Sequence, residues 1–118
     1  MKRARAQATP SVVTFGEVML RLATPQRQRF VQAHEFEATY GGGECNVAVS
    51  LANFGLDAAF VSAVPENEIG QACVNYIRQF GVDTSHILRS GPRLGRCVSA
   101  VQGELCAVSS GFPSGIIR

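Results

Sequence analysis

The sequence predicts an α/β fold built on a parallel sheet, and three features carry that reading. Two β-branched, apolar runs, SVVTFGEVMLRLA (11–23) and AAFVSAV (58–64), have the composition of core strands. Each precedes a segment whose apolar residues recur at helical spacing. Glycines punctuate the joins between these segments. Strand and helix alternating as βαβα implies parallel strands joined by right-handed crossovers.

The elements follow in order. Residues 11–23 read as one buried strand that bends at Gly16-Glu17, because glycine inside an apolar strand marks a kink. TPQRQRF is a polar turn. RFVQAHEFEATY (29–40) alternates only loosely. Phe30, Phe36 and Tyr40 share one parity with Gln32 and His34, while Val31 and Ala33 share the other with Glu35 and Glu37. Neither face is cleanly apolar, which predicts one or two short exposed strands of a small accessory sheet. After Gly41-Gly42-Gly43, the residues Val47, Leu51 and Phe54 recur at i, i+4 and i+7 and mark one face of a helix that Gly55 ends. Asn67 is the N-cap of a second helix, with Ile69, Cys73, Tyr76, Ile77 and Phe80 on one face and Gly81 at its close. VDTSHILRS reads as a turn and a short strand.

Composition excludes several classes of function. The formal net charge is +2, and Lys2, Arg3 and Arg5 alone exceed it. The first ten residues, MKRARAQATP, read as a basic extension; beyond them no basic stripe and no Trp favours nucleic-acid binding. No apolar run approaches the roughly 18 residues of a membrane span. Lys2 is the single lysine, so neither a P-loop nor a buried Schiff-base lysine occurs within these residues. Cys45, Cys73, Cys97 and Cys106 lack metal-ligand spacing, so no metal site is expected, and reduced thiols suit a cytoplasmic compartment. His34 and His86 stand isolated in surface-like segments and read as solvated side chains.

The chemistry concentrates in ATYGGGECNVAVSLANFGL (38–56). Glycines entering a helix let a ligand approach the backbone closely, and the first helical turn presents N–H groups with no intrahelical partner. Glu44 can accept hydrogen bonds from hydroxyls, and Asn46 both donates and accepts. A hydroxyl-rich ligand would use all of these. The dinucleotide fingerprint G-x-G-x-x-G is matched only in part, since Asn46 stands where its third glycine belongs. A turn with no ligand is a further alternative. Glu17, at the end of a core strand, is the second candidate, because open α/β sheets bind ligands at strand ends.

Three stretches, VVTFGEVMLRLATP, ATYGGGECNVAVSLANFGL and GVDTSHILR, taken in this order and spacing, resemble the N-terminal part of the ribokinase-like (PfkB) carbohydrate kinases, from about residue 11 to residue 95. Within that family they are most similar to the branch acting on 2-keto-3-deoxygluconate. The resemblance implies a partial ribokinase-like fold: a mostly parallel sheet with helices on both faces and small β-lid strands, at about 29–40 and 84–95. It implies a sugar or sugar acid as substrate, contacted by Glu17, Gly42, Gly43, Glu44 and Asn46. It implies ATP and Mg as cofactors of the intact family, neither expected to bind these residues alone, and homodimers formed through the lid. The family's catalytic Asp lies in a Gly-Ala-Gly-Asp motif that these 118 residues do not contain, so no catalytic residue is assigned and the isolated chain is expected to lack kinase activity.

Residues 96–118 depart from the aromatic lid strand that the resemblance implies after Arg93-Leu94-Gly95. A one-base shift within the codons for GELCAVSS permits ASCAPSAV, closer to the family's pattern, which points to a frameshift near Gly95. Two readings follow: the sugar-binding part of a sugar-acid kinase, or a small non-enzymatic α/β domain that uses the glycine turn as a ligand site.

Overall fold

The computed structural model describes residues 12–99. The basic extension at 1–10 and the tail beyond residue 99 lie outside them. The elements run β1 (Val12–Phe15), β2 (Met19–Ala23), β3 (Glu37–Gly41), α1 (Gly43–Asn53), β4 (Ala58–Val64), α2 (Glu68–Arg78), β5 (Ile87–Arg89) and β6 (Gly95–Ser99). They form two three-stranded sheets. In the first, ordered β1-β4-β5, every neighbouring pair is parallel. In the second, ordered β3-β2-β6, β2 is antiparallel to β3 and parallel to β6.

The bent strand expected over 11–23 is therefore two strands that belong to different sheets. The N–H of Gly16 makes the last bond to β4, at Val61 O (3.2 Å), and the chain then leaves the sheet. Val18, 1% exposed, pins the crossing into the core. Of the two stretches expected as accessory strands, 29–40 supplies one short, largely exposed strand of the small sheet, as expected, and 84–95 is corrected. Within 29–40 only Glu37–Gly41 is strand, while Phe30–Gln32 forms one 3-10 turn, closed by the Arg29 N–H donating to Gln32 Oε1 at 3.1 Å. Within 84–95, Ile87–Arg89 joins β4 in the first sheet, because Ile87 completes the core. The small sheet instead gains Gly95–Ser99, paired in register with Met19–Ala23.

Handedness decides where the helices go. The strands β1, β4 and β5 are laid down in one direction, so two right-handed crossovers place both helices on the same face. One core cluster accordingly joins Cys45 and Ala48 of α1, Cys73, Val74 and Ile77 of α2, and Ala58, Phe60 and Val64 of β4. Helices expected on both faces are found on one among the described residues. The opposite face carries Val13, Phe15 and Leu88, 60%, 73% and 67% exposed.

Asn67 caps α2 as expected, its Oδ1 accepting from the Gly70 N–H at 2.9 Å. The inward face of α2 contains Cys73 and Ile77, with Val74 in place of the exposed Ile69. The face of α1 differs more. Cys45 and Ala48 are its buried residues, while Val47 is half-exposed and Phe54 is exposed. A helix held close to a sheet turns its small residues inward, and hydrophobic periodicity does not register that constraint. A contact between Tyr40 of β3 and Tyr76 of α2, with ring centroids 5.5 Å apart, ties the small sheet to the rest.

Replacing Ile77 by Ala should cost about 2–5 kcal/mol in urea unfolding, as for any large buried aliphatic. Phe15→Ala, on the open face, should cost less than about 0.5 kcal/mol. Equal losses would contradict the one-sided core.

Candidate functional site

Three segments converge at the N-terminus of α1: the exit from β1 at Gly16-Glu17, the end of β3 at Gly41, and the helix entry at Gly42–Asn46. The glycines show how closely they meet. A Cβ on Gly42 would collide with the main-chain carbonyl oxygen of Glu17 and lie 3.5 Å from Val18 Cα. Gly42 is extended, at φ 175° and ψ 159°, so it is closeness, not handedness, that requires glycine there. The contact is reciprocated. A Cβ on Gly16 would collide with the Glu44 carboxylate, meeting Oε2 and lying 2.6 Å from Cδ and 2.9 Å from Cγ. Each segment thus contributes a glycine that accommodates a glutamate of the other.

Asn46 lies back over the end of β3, with its Oδ1 3.4 Å from where a Cβ on Gly41 would stand. Gly43 is different in kind. Its backbone is helical and nothing lies within 4 Å of a Cβ built on it. Nothing in the described protein requires glycine at this position. Gly43, Glu44 and Asn46 are exposed, and Glu17 is half-buried. All five residues singled out by sequence, Glu17, Gly42, Gly43, Glu44 and Asn46, therefore gather at one junction.

The helix end there is chemically open. Gly42 supplies no side-chain cap, whereas Asn67 caps α2. The early N–H groups of α1 are left to another acceptor, and the positive end of the helix dipole sits with them. Glu44, in the first turn, complements that dipole. What sequence reasoning missed is the part played by Gly16. A glycine-glutamate step at a strand end, with glycines at the entry of the next helix, was the available signal.

Beneath the junction, burial pushes the Cys45 thiol up to about 11 from its ordinary 9.0. Burial, with the neighbouring Cys45, pushes Cys73 up to about 12, while the Arg89 guanidinium opposes the shift. Both cysteines are free. Among the described residues no three His, Cys, Asp or Glu side chains gather as metal ligands. An open pocket of about 180 Å³ lies elsewhere, lined by Leu20, Asn67, Ile69, Pro92, Arg93 and Leu94. None of the five candidate residues lines it.

The profile of the "pfkB family carbohydrate kinase" matches residues 9–108. The chain belongs to the pfkB family of carbohydrate kinases. That match runs beyond Gly95, where the sequence alone placed the end of the resemblance. The chain is 37% identical over 75 residues to a 2-dehydro-3-deoxygalactonokinase from Haloferax volcanii, covering 64% of this chain and 24% of that protein. It is 33% identical over 84 residues to a 2-dehydro-3-deoxygluconokinase from Thermoproteus tenax, covering 70% and 25%. The crystal structure of 2-dehydro-3-deoxygluconokinase from Thermotoga maritima superposes with a TM-score of 0.76 at 44% identity, over 85% of this chain and 31% of that one. The chain thus spans about a quarter to a third of the length of these relatives.

Two outcomes are expected at this junction. Gly42→Ala should destabilise the fold by about 1–3 kcal/mol, since main chain must move. Gly43→Ala should be neutral or stabilising by up to about 1 kcal/mol, since alanine suits an open helical position better. Thermal melts of both variants check the contrast. The buried thiols set a pH dependence. Between the ordinary 9.0 and the raised folded values of about 11 and about 12, the unfolded chain has released protons that the folded chain retains. Stability should therefore fall as pH rises through that window. The decline should be shallower in a Cys45→Ala/Cys73→Ala variant, as read by melting temperature against pH.

Proposed function

We propose that this chain is the sugar-binding part of an ATP-dependent carbohydrate kinase whose acceptor is 2-keto-3-deoxygluconate or a closely similar sugar acid. The observation that carries the reading is Gly43. Gly43 opens α1, and neither a left-handed φ nor a neighbouring atom within the described residues explains a glycine there. A ligand seated on the Gly42–Gly43 backbone does. The names of the relatives from Thermoproteus tenax and Thermotoga maritima supply the substrate class.

In this reading the first-turn N–H groups of α1 donate to ligand oxygens. Asn46 offers both a donor and an acceptor, and Glu44 accepts from a hydroxyl. Glu17, at the end of β1, borders the site from the sheet side. The small sheet β3-β2-β6 acts as the lid, which restricts the substrate's orientation and its access to water. In this reading ATP and Mg, the cofactors of the intact family, are held by the remaining length of the family fold. Free, buried Cys45 and Cys73 suit a reducing compartment, in keeping with a cytoplasmic enzyme.

The test is a titration of the isotope-labelled chain with 2-keto-3-deoxygluconate, followed by amide NMR. Saturable shifts centred on Gly41–Asn46, with a dissociation constant on the order of millimolar, are expected. They should weaken in Asn46→Ala. No shift, or the same shift from acetate, would overturn the reading.

A further inference from the structure

The role of Gly16 follows by elimination. Its φ lies outside the left-handed region, so conformation does not call for glycine. The three nearest atoms that a Cβ would meet all belong to the Glu44 side chain, and none is main chain. What the bare backbone at position 16 accommodates is thus the carboxylate of Glu44, which lies against the exit of β1 although the residue remains exposed. Gly42 contrasts with it, since a side chain there would strike the Glu17 backbone. Substitution at Gly16 meets first the end of one flexible side chain, so its effect on the site is separable from its effect on the fold.

A carboxylate held at this point changes what the helix end can bind. An uncapped helix N-terminus attracts anions. A sugar acid offers it two kinds of group, a carboxylate and hydroxyls. Glu44, lodged at the first turn, already supplies the negative charge that the dipole favours and repels a second one. Hydroxyls, which donate to a carboxylate and accept from N–H groups, fit both. We propose that Gly16 is a positioning residue that seats Glu44 at the helix entry, and that the pair directs the hydroxyl-bearing end of an acid substrate onto α1 with its carboxylate turned away. The inference rests on the junction being the sugar-acid site.

Two probes test it on the 118-residue chain: 2-keto-3-deoxygluconate and inorganic phosphate, each followed through the amides of residues 43–46. Gly16→Ala should weaken sugar-acid binding about tenfold, the size of one hydrogen bond to a charged group. In a Glu44→Ala background the same substitution should have less than about a twofold further effect, because coupled residues are not additive. Phosphate should shift these amides in both single variants and not in the unsubstituted chain. A purely structural role would not produce that gain. Gly16→Ala binding both probes as the unsubstituted chain does would overturn the proposal alone, as would an equal loss in both backgrounds. No sugar-acid response from the unsubstituted chain would overturn the substrate reading, and the proposal with it.

Discussion

The approach of the α1 entry to the β1 exit is the contact on which the site depends. Gly42 packs against the carbonyl of Glu17, and Gly16 receives the carboxylate of Glu44. Neither contact is long-lived chemistry; each is a matter of absent atoms. Together they bring the start of the helix down onto the end of the strand and turn Cys45 and Ala48 toward the sheet. That rotation leaves Glu44 and Asn46 exposed beside the first-turn N–H groups. The same few ångströms fix the packing of α1 and the geometry of the candidate sugar site, so substitutions here affect fold and binding to different degrees according to which atoms they meet.

A second constraint is topological. Strands added in one direction with right-handed crossovers bury one face of a sheet and leave the other bare. The exposed Val13, Phe15 and Leu88 lie on that bare face, and among the described residues β1 forms an edge of its sheet. A kinase of this family is several times longer than the matched region, and the relatives' remaining length offers the material to cover such a face. The crossing at Gly16–Val18 matters here as well. It carries the chain from the core sheet into the small sheet within three residues, which sets the small sheet beside the α1 entry.

Much of this was legible in the sequence, for identifiable reasons. Helix starts and stops depend on local chemistry, and Asn67, Gly55 and Gly81 act where they were expected. The β4 strand is continuous and apolar, so burial and pairing agree with its pattern. The five candidate residues are close in sequence or sit at the strand end that precedes the site, and they gather in space. The failures have a different character. Hydrophobic periodicity placed Val47 and Phe54 with Leu51 on the inward face of α1, and only Leu51 packs against the core; a close-packed helix buries small residues, and alanine and cysteine carry little weight in such a pattern. One apolar run at 11–23 gave no sign that its halves join different sheets. Ile87–Arg89 was assigned to the lid because three residues do not specify their partner strand. The glycine-glutamate step marks Gly16 as a special position, but which side chain it accommodates is known only once its neighbour Glu44 is placed.

The most direct measurement is a nuclear Overhauser spectrum of the chain in solution, examined at the α1 entry. Close packing requires cross-peaks from the Glu44 side-chain methylenes to the Gly16 α-protons, together with cross-peaks between Gly42 and Val18 α-protons. Both sets present would establish the reciprocal glycine contact that shapes the site. Glu44 resonances showing only contacts within its own helix, with Gly42 remote from Val18, would contradict it and leave the junction without the geometry on which the sugar-binding role is built.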